Sequence, residues 1–259
     1  MAPLRFKLIS IFLFFHLQGS AQHAKVYFKV ADSILMKENS STRLYNKLDT
    51  LKSRFMPSRS SVTIYFNRNI DFGYKHERIN LRLNLENYQI DLFIINDTIF
   101  AKTIRHFFNP YEMESETLEF HFSADTLNLS GYLKKRNKMY NSTKTASDLI
   151  KEISKYKVFA FNCGFGSSKT KEGKYIEWLA EENNTTDLIK MLQSFSVEDQ
   201  AYGISGFEIL KRKGYPTPLE IQNLIRQIKR RNSDTITCSG CSSGLITKLY
   251  SNYASKVKQ

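Results

Sequence analysis

Residues Arg78 to Leu85 alternate polar and apolar without a break. Ile79, Leu81, Leu83 and Leu85 would share one side of an extended chain; Arg78, Asn80, Arg82 and Asn84 would share the other. That period of two is the signature of a strand with one buried and one wet face. Glu86-Asn87 follows as a turn. Tyr88, Ile90, Leu92 and Ile94 repeat the pattern, Asn96-Asp97 turns again, and Thr98 to Ile104 runs extended. Asn and Asp suit such turns because they tolerate the left-handed conformation and bond back to the backbone. The pattern predicts an antiparallel meander. Ser61–Asn67 precedes it, Thr117–Ser123 follows with Leu118, Phe120 and Phe122 on one face, and Thr126–Tyr132 offers another strand. The expected sheet has about five or six strands, and its apolar face needs a covering helix.

Helical spacing appears on both sides of this region. Leu44, Leu48, Leu51 and Phe55 mark a helix over 42–55, with Ser41 or Thr42 as cap and Pro57 as stop. Residues 24–36 fit strand or helix equally. The basic, polar stretch 134–145 reads as a linker. Beyond it the chain reads as helical. Leu149, Ile150 and Ile153 face inward near 146–156, and a short helix ends at Glu182. Thr186 and Ser196 cap two further helices; Gly214 ends the second. Thr217-Pro218-Leu219-Glu220 opens a third, carrying Ile221, Leu224, Ile225 and Ile228. The polar tail from Ser233 holds two cysteines. The expected class is α+β: an antiparallel β-meander with a covering helix (22–133), a linker (134–145) and a small, mainly α-helical domain with a Cys-containing tail (146–259).

The N-terminus bounds the compartment. Arg5 and Lys7, then an apolar run from Leu8 to Phe15, then Gly19-Ser20-Ala21, read as a secretory signal peptide over 1–21. The Ala21-Gln22 junction resembles signal ends of exported Bacteroidota proteins. Gln22 stands where a lipid-anchored chain would carry Cys. Export to the periplasm or the extracellular space is expected, and no later stretch reaches the roughly 20 apolar residues of a membrane helix. The formal net charge is +13, two units of it from the leader. The charge is dispersed, with small clusters at Lys134-Lys135-Arg136 and Lys229-Arg230-Arg231. This distribution suits solubility and attraction to an anionic envelope surface. It lacks the basic stripe interleaved with aromatics of a nucleic-acid module, so no nucleic-acid partner is expected.

Residues 186–213 resemble a single HEAT-type helical hairpin. Asp187-Leu188-Ile189-Lys190-Met191-Leu192 is similar to the family's first helix, and Gln200-Ala201-Tyr202-Gly203-Ile204-Ser205-Gly206-Phe207 to its small-residue second helix. The resemblance implies close approach of the two helices at Ala201, Gly203 and Gly206, and a tilt towards protein interaction. Gln200 stands where the family often has Arg. A solenoid needs about three stacked repeats, and no second copy is present.

The residues that carry chemistry are few. Cys238-Ser239-Gly240-Cys241 is a C-x-x-C, a pattern used for thiol–disulfide exchange when it opens a helix; here Ser242-Ser243-Gly244 follows instead. A structural disulfide is the other reading of the pair; three mature cysteines leave one unpaired, and Cys163 is a further candidate, bridging to one of the pair and stapling the helical tail to the apolar run before it. Three cysteines with scattered histidines do not make a zinc site, and no metal or cofactor is implied. His23, His76, His106 and His121 fall in no catalytic pattern and read as surface or capping residues. There is no G-x-S-x-G elbow, and Gly164-Phe165-Gly166-Ser167-Ser168 lacks the Gly-Lys-Ser/Thr ending of a P-loop. The leading expectation is a non-enzymatic interaction or structural protein of the cell envelope, its partner another envelope protein or an anionic surface. The alternatives are a redox factor using Cys238 and Cys241, or a hydrolase whose residues converge only on folding.

Overall fold

The computed structural model describes residues 25–84, 86–107 and 117–251. The leader expected over 1–21, His23 and Leu85 lie outside them. The class is α+β, with a five-stranded antiparallel sheet followed by helices. Strands β1 (Ser61–Asn69), β2 (Lys75–Leu83), β3 (Glu86–Ile95), β4 (Thr98–Phe107) and β5 (Thr117–Ala124) lie in sequence order across the sheet. The meander arises as the alternation predicts, with two differences. The chain reverses at Asn84, φ +59°, and Glu86 and Asn87 already belong to β3. The polar face is wet only in part: Asn80 and Arg82 are exposed. Arg78, Gln89 and Asp91 are buried, because the Arg78 Nε donates to Asp91 at 2.7 Å and Arg105 lies 3.6 Å from the same carboxylate.

The chain forms two compact units. The first comprises 1–65, 78–92 and 97–123, the second 66–77, 93–96 and 124–259. In the first, the ambiguous stretch resolves as a helix over 25–37 (α1). Phe28 packs on Tyr88 and His106, which places α1 over the Tyr88–Ile90–Leu92 face. Helix α2 (Ser41–Arg54) buries Leu44, Leu48 and Leu51. Its start is clasped by the β3–β4 turn. Asp97 accepts from the hydroxyls of Ser40 and Ser41, each at 2.6 Å, and from the Thr42 amide at 3.0 Å. These bonds hold the Asp97 carboxyl well below the usual carboxylate range.

The second unit carries α3 (Thr126–Tyr140), α4 (Ala146–Ser154), α5 (Lys171–Glu181), α6 (Thr185–Leu192), α7 (Val197–Arg212) and α8 (Leu219–Arg231). Helix α3 replaces both the strand expected at Thr126–Tyr132 and the first half of the loop expected at 134–145. Asp125 caps it by accepting from the Leu127 and Asn128 amides. Leu129, Tyr132, Arg136 and Tyr140 then fall three or four residues apart and are buried. Gly203 and Gly206 of α7 meet α6 at Leu188 and Leu192. The core gathers Ile176, Leu179, Leu188, Leu192, Ile204, Phe207, Leu224 and Ile228. The expected polar tail is a hairpin, β6 (Asp234–Ser239) paired antiparallel with β7 (Ser242–Lys248). Thr235 and Ile236 bury its inner end.

Candidate functional site

All three candidate cysteines lie in the second unit. Cys163 and Cys238 form a disulfide, with their Cα atoms 5.7 Å apart. Cys241 is a free, exposed thiol. The C-x-x-C therefore occupies a hairpin turn rather than a helix N-terminus. Gly240 supplies the positive φ, +56°, that the first residue of a two-residue turn needs. The β6–β7 register slips between Thr237 and Cys238, so the hairpin end departs from the regular ladder.

The disulfide joins this turn to a second loop, 163–168. That loop is closed at its base: the Cys163 amide donates to the Ser168 carbonyl at 3.0 Å, and the Ser168 hydroxyl returns a bond to the Cys163 carbonyl. The Gly164 amide donates to the Gly240 carbonyl at 2.8 Å, and the Phe159 amide to the Ile236 carbonyl at 2.7 Å. The Tyr202 hydroxyl of α7 accepts from the Ala160 amide and lies 3.0 Å from the carbonyls of Val158 and Ala160, to which its one proton can be donated. Thus this glycine-containing segment is braced by a covalent bond and backbone bonds. At its tip Phe165 is 95% exposed.

The strongest electrostatic feature of the same unit was not legible in sequence. Asp71, in the β1–β2 connection, is buried. Its carboxylate accepts from the Tyr140 hydroxyl at 2.6 Å, Arg231 at 2.9 Å and Arg136 at 3.2 Å. The Arg136 guanidinium also donates to the carbonyls of Gln193 and Ser194 and lies over the Tyr140 and Phe195 rings at 4.2 and 4.0 Å. Burial pushes the Tyr140 hydroxyl up to about 12. Beside this cluster, Arg68 of β1 donates to Glu198 of α7 at 2.7 Å. Burial alone raises Glu198. Arg68 and the Ile236 amide outweigh it and hold the carboxyl below its ordinary value. These groups bond one another inside the unit, so their role is to fix helices α3, α7 and α8 to the β1–β2 connection.

Each described histidine has its own partners. His76 is buried against Phe93, at 4.9 Å and nearly parallel, and Arg68 donates to its Nδ1. His106 is buried on Tyr88 and bonds Glu86 at 2.7 Å. Both correct the surface expectation: aromatic stacking and a polar partner make a buried imidazole acceptable. His121 does stay exposed and bonds Asp32. An open cleft of about 570 Å³ between α5 and α7 is lined by Phe161, Glu177, Glu181, Glu208, Ile209 and Arg212, among others, and by no histidine. Among the described residues, no group of His, Cys, Asp and Glu is placed to hold a metal ion, and no helix is long and apolar enough to cross a membrane. No family model, curated protein or solved structure matches this chain.

Proposed function

We propose that this is an exported, non-enzymatic interaction protein of the cell envelope, with the stapled loop 163–168 as its contact element. The observation that carries the reading is Phe165: a large apolar side chain held in water on a loop that a disulfide and three backbone bonds keep in place. Braced loops that display apolar groups are where proteins put contacts, because the partner then meets a surface whose ordering cost has already been met. The disulfide suits an oxidising compartment, and the positive charge suits residence near an anionic envelope. The partner class is another envelope protein.

A photo-crosslinking residue at position 165 in living cells tests this. One dominant envelope adduct is expected, lost in the Cys163→Ser/Cys238→Ser protein. A label at Leu127, which is 80% exposed on α3, serves as control. Equal adducts from both positions would overturn the reading. A thiol–disulfide redox role using Cys238 and Cys241 is the second reading, supported by the free thiol lying beside a bridged cysteine.

A further inference from the structure

We infer that Cys241 is an internal nucleophile that exchanges with the Cys163–Cys238 disulfide. In the step, the Cys241 thiolate attacks the Cys238 sulfur. A Cys238–Cys241 bond forms, the Cys163–Cys238 bond breaks, and Cys163 leaves as a thiolate that takes a proton from solvent. One disulfide and one thiol exist before and after, so no external oxidant or reductant is needed.

Three features of the hairpin end carry this. Cys241 is exposed, and the two bridged cysteines are only partly buried, so attacking and leaving sulfurs are both within reach of water. Cys241 lies three residues from Cys238 across the Gly240 turn. The ladder has already slipped at Thr237/Cys238, so a local rearrangement there breaks little regular pairing. The two pairings are opposed by different physics. Closing a ring between residues three apart is entropically easier than closing one between residues 75 apart. The long-range bridge therefore prevails only while folding holds its partners together, through the Gly164–Gly240 and Phe159–Ile236 bonds. The element has two states, and exchange releases loop 163–168, with Phe165, from the hairpin. What the loop binds does not enter the step, so this inference and the binding reading fail separately.

The test uses the purified, oxidised full chain, dilute, at pH 8, with no added thiol and increasing urea below the unfolding transition. Samples are acid-quenched, alkylated and mapped by mass spectrometry on the monomer fraction. In water the expected product is Cys163–Cys238 with Cys241 alkylated. With urea, a second species is expected: Cys238–Cys241 linked and Cys163 alkylated. Cys163 labelling should be about tenfold or more above that of the Cys241→Ser protein, whose change lies in an exposed turn and leaves the native bridge intact. Circular dichroism confirms that both proteins remain folded at each urea concentration. Cys163 that stays unlabelled throughout, or labels equally in Cys241→Ser, would overturn the inference.

Discussion

Replacing Gly206 with Ala should destabilise the helical unit, against the usual trend. In an exposed helix Ala stabilises by about 1 kcal/mol over Gly. At 206, however, the added Cβ would lie 2.3 Å from Leu188 Cδ2 and 3.0 Å from Cδ1. Leu188 is fully buried, so its isopropyl end cannot swing aside freely. Overpacking costs about 1–3 kcal/mol; a 2.3 Å approach belongs at about 2–3 kcal/mol, so after the helix gain the net expectation is a loss of about 1–2 kcal/mol. The obstacle is one side chain, which makes the argument checkable by a second substitution. Leu188→Ala alone should cost about 2–5 kcal/mol through the cavity it leaves. In the double variant the new methyl enters that cavity, so the loss should fall short of the sum by about 1–2 kcal/mol. Urea unfolding gives the comparison. Trp178 on α5 is the chain's only tryptophan and reports on the helices directly. A Gly206→Ala protein as stable as the parent, or additive losses in the double variant, would refute the packing argument.

Asp71→Asn leaves the buried Arg136 and Arg231 without their carboxylate, and a loss of about 3–5 kcal/mol is expected by urea unfolding. The same change at the half-buried Asp49, paired with Lys52, should cost no more than about 1 kcal/mol. Removing the disulfide with Cys163→Ser should lower stability by about 2–4 kcal/mol, read as a lower thermal midpoint under non-reducing conditions. Acid should destabilise through Glu198 and Asp97, both held below their ordinary values in the folded chain. Their stabilising effect is complete above the unfolded carboxyl range and is lost as pH falls through the folded values. Glu198→Gln should flatten the acid limb of a stability–pH curve, and an unchanged limb would remove Glu198 from the account.

The elements that depend on local chemistry could be read in advance. Alternation marked the β2–β3–β4 meander, and Ser196 with Asp199 marked the start of α7. Elements held by distant partners could not. Helix α3 begins with an exposed Leu127 and turns Arg136 inward. Its basic run looked like a linker because the carboxylate that accepts that arginine lies 65 residues away. Glu198 occupies the first turn of α7, where an acid is ordinary, and nothing near it in sequence announces Arg68. Nothing in the sequence around Asp71 marks it for burial, since its partners sit in α3 and α8. At the cysteines, the count of three left the pairing open, and the choice of Cys238 for Cys163 comes from the bonds that join loop 163–168 to the hairpin.

The burial of Asp71 bears on how this chain can be divided. The helices from residue 124 onward rely on an anion contributed by residues 66–77, which come earlier in the chain. Severed at that point, a C-terminal fragment would carry two interior cations with nothing to neutralise them. Supplying a peptide spanning 66–77 in trans would return the missing counter-ion, making this short connection a separable folding cofactor for the helices it serves.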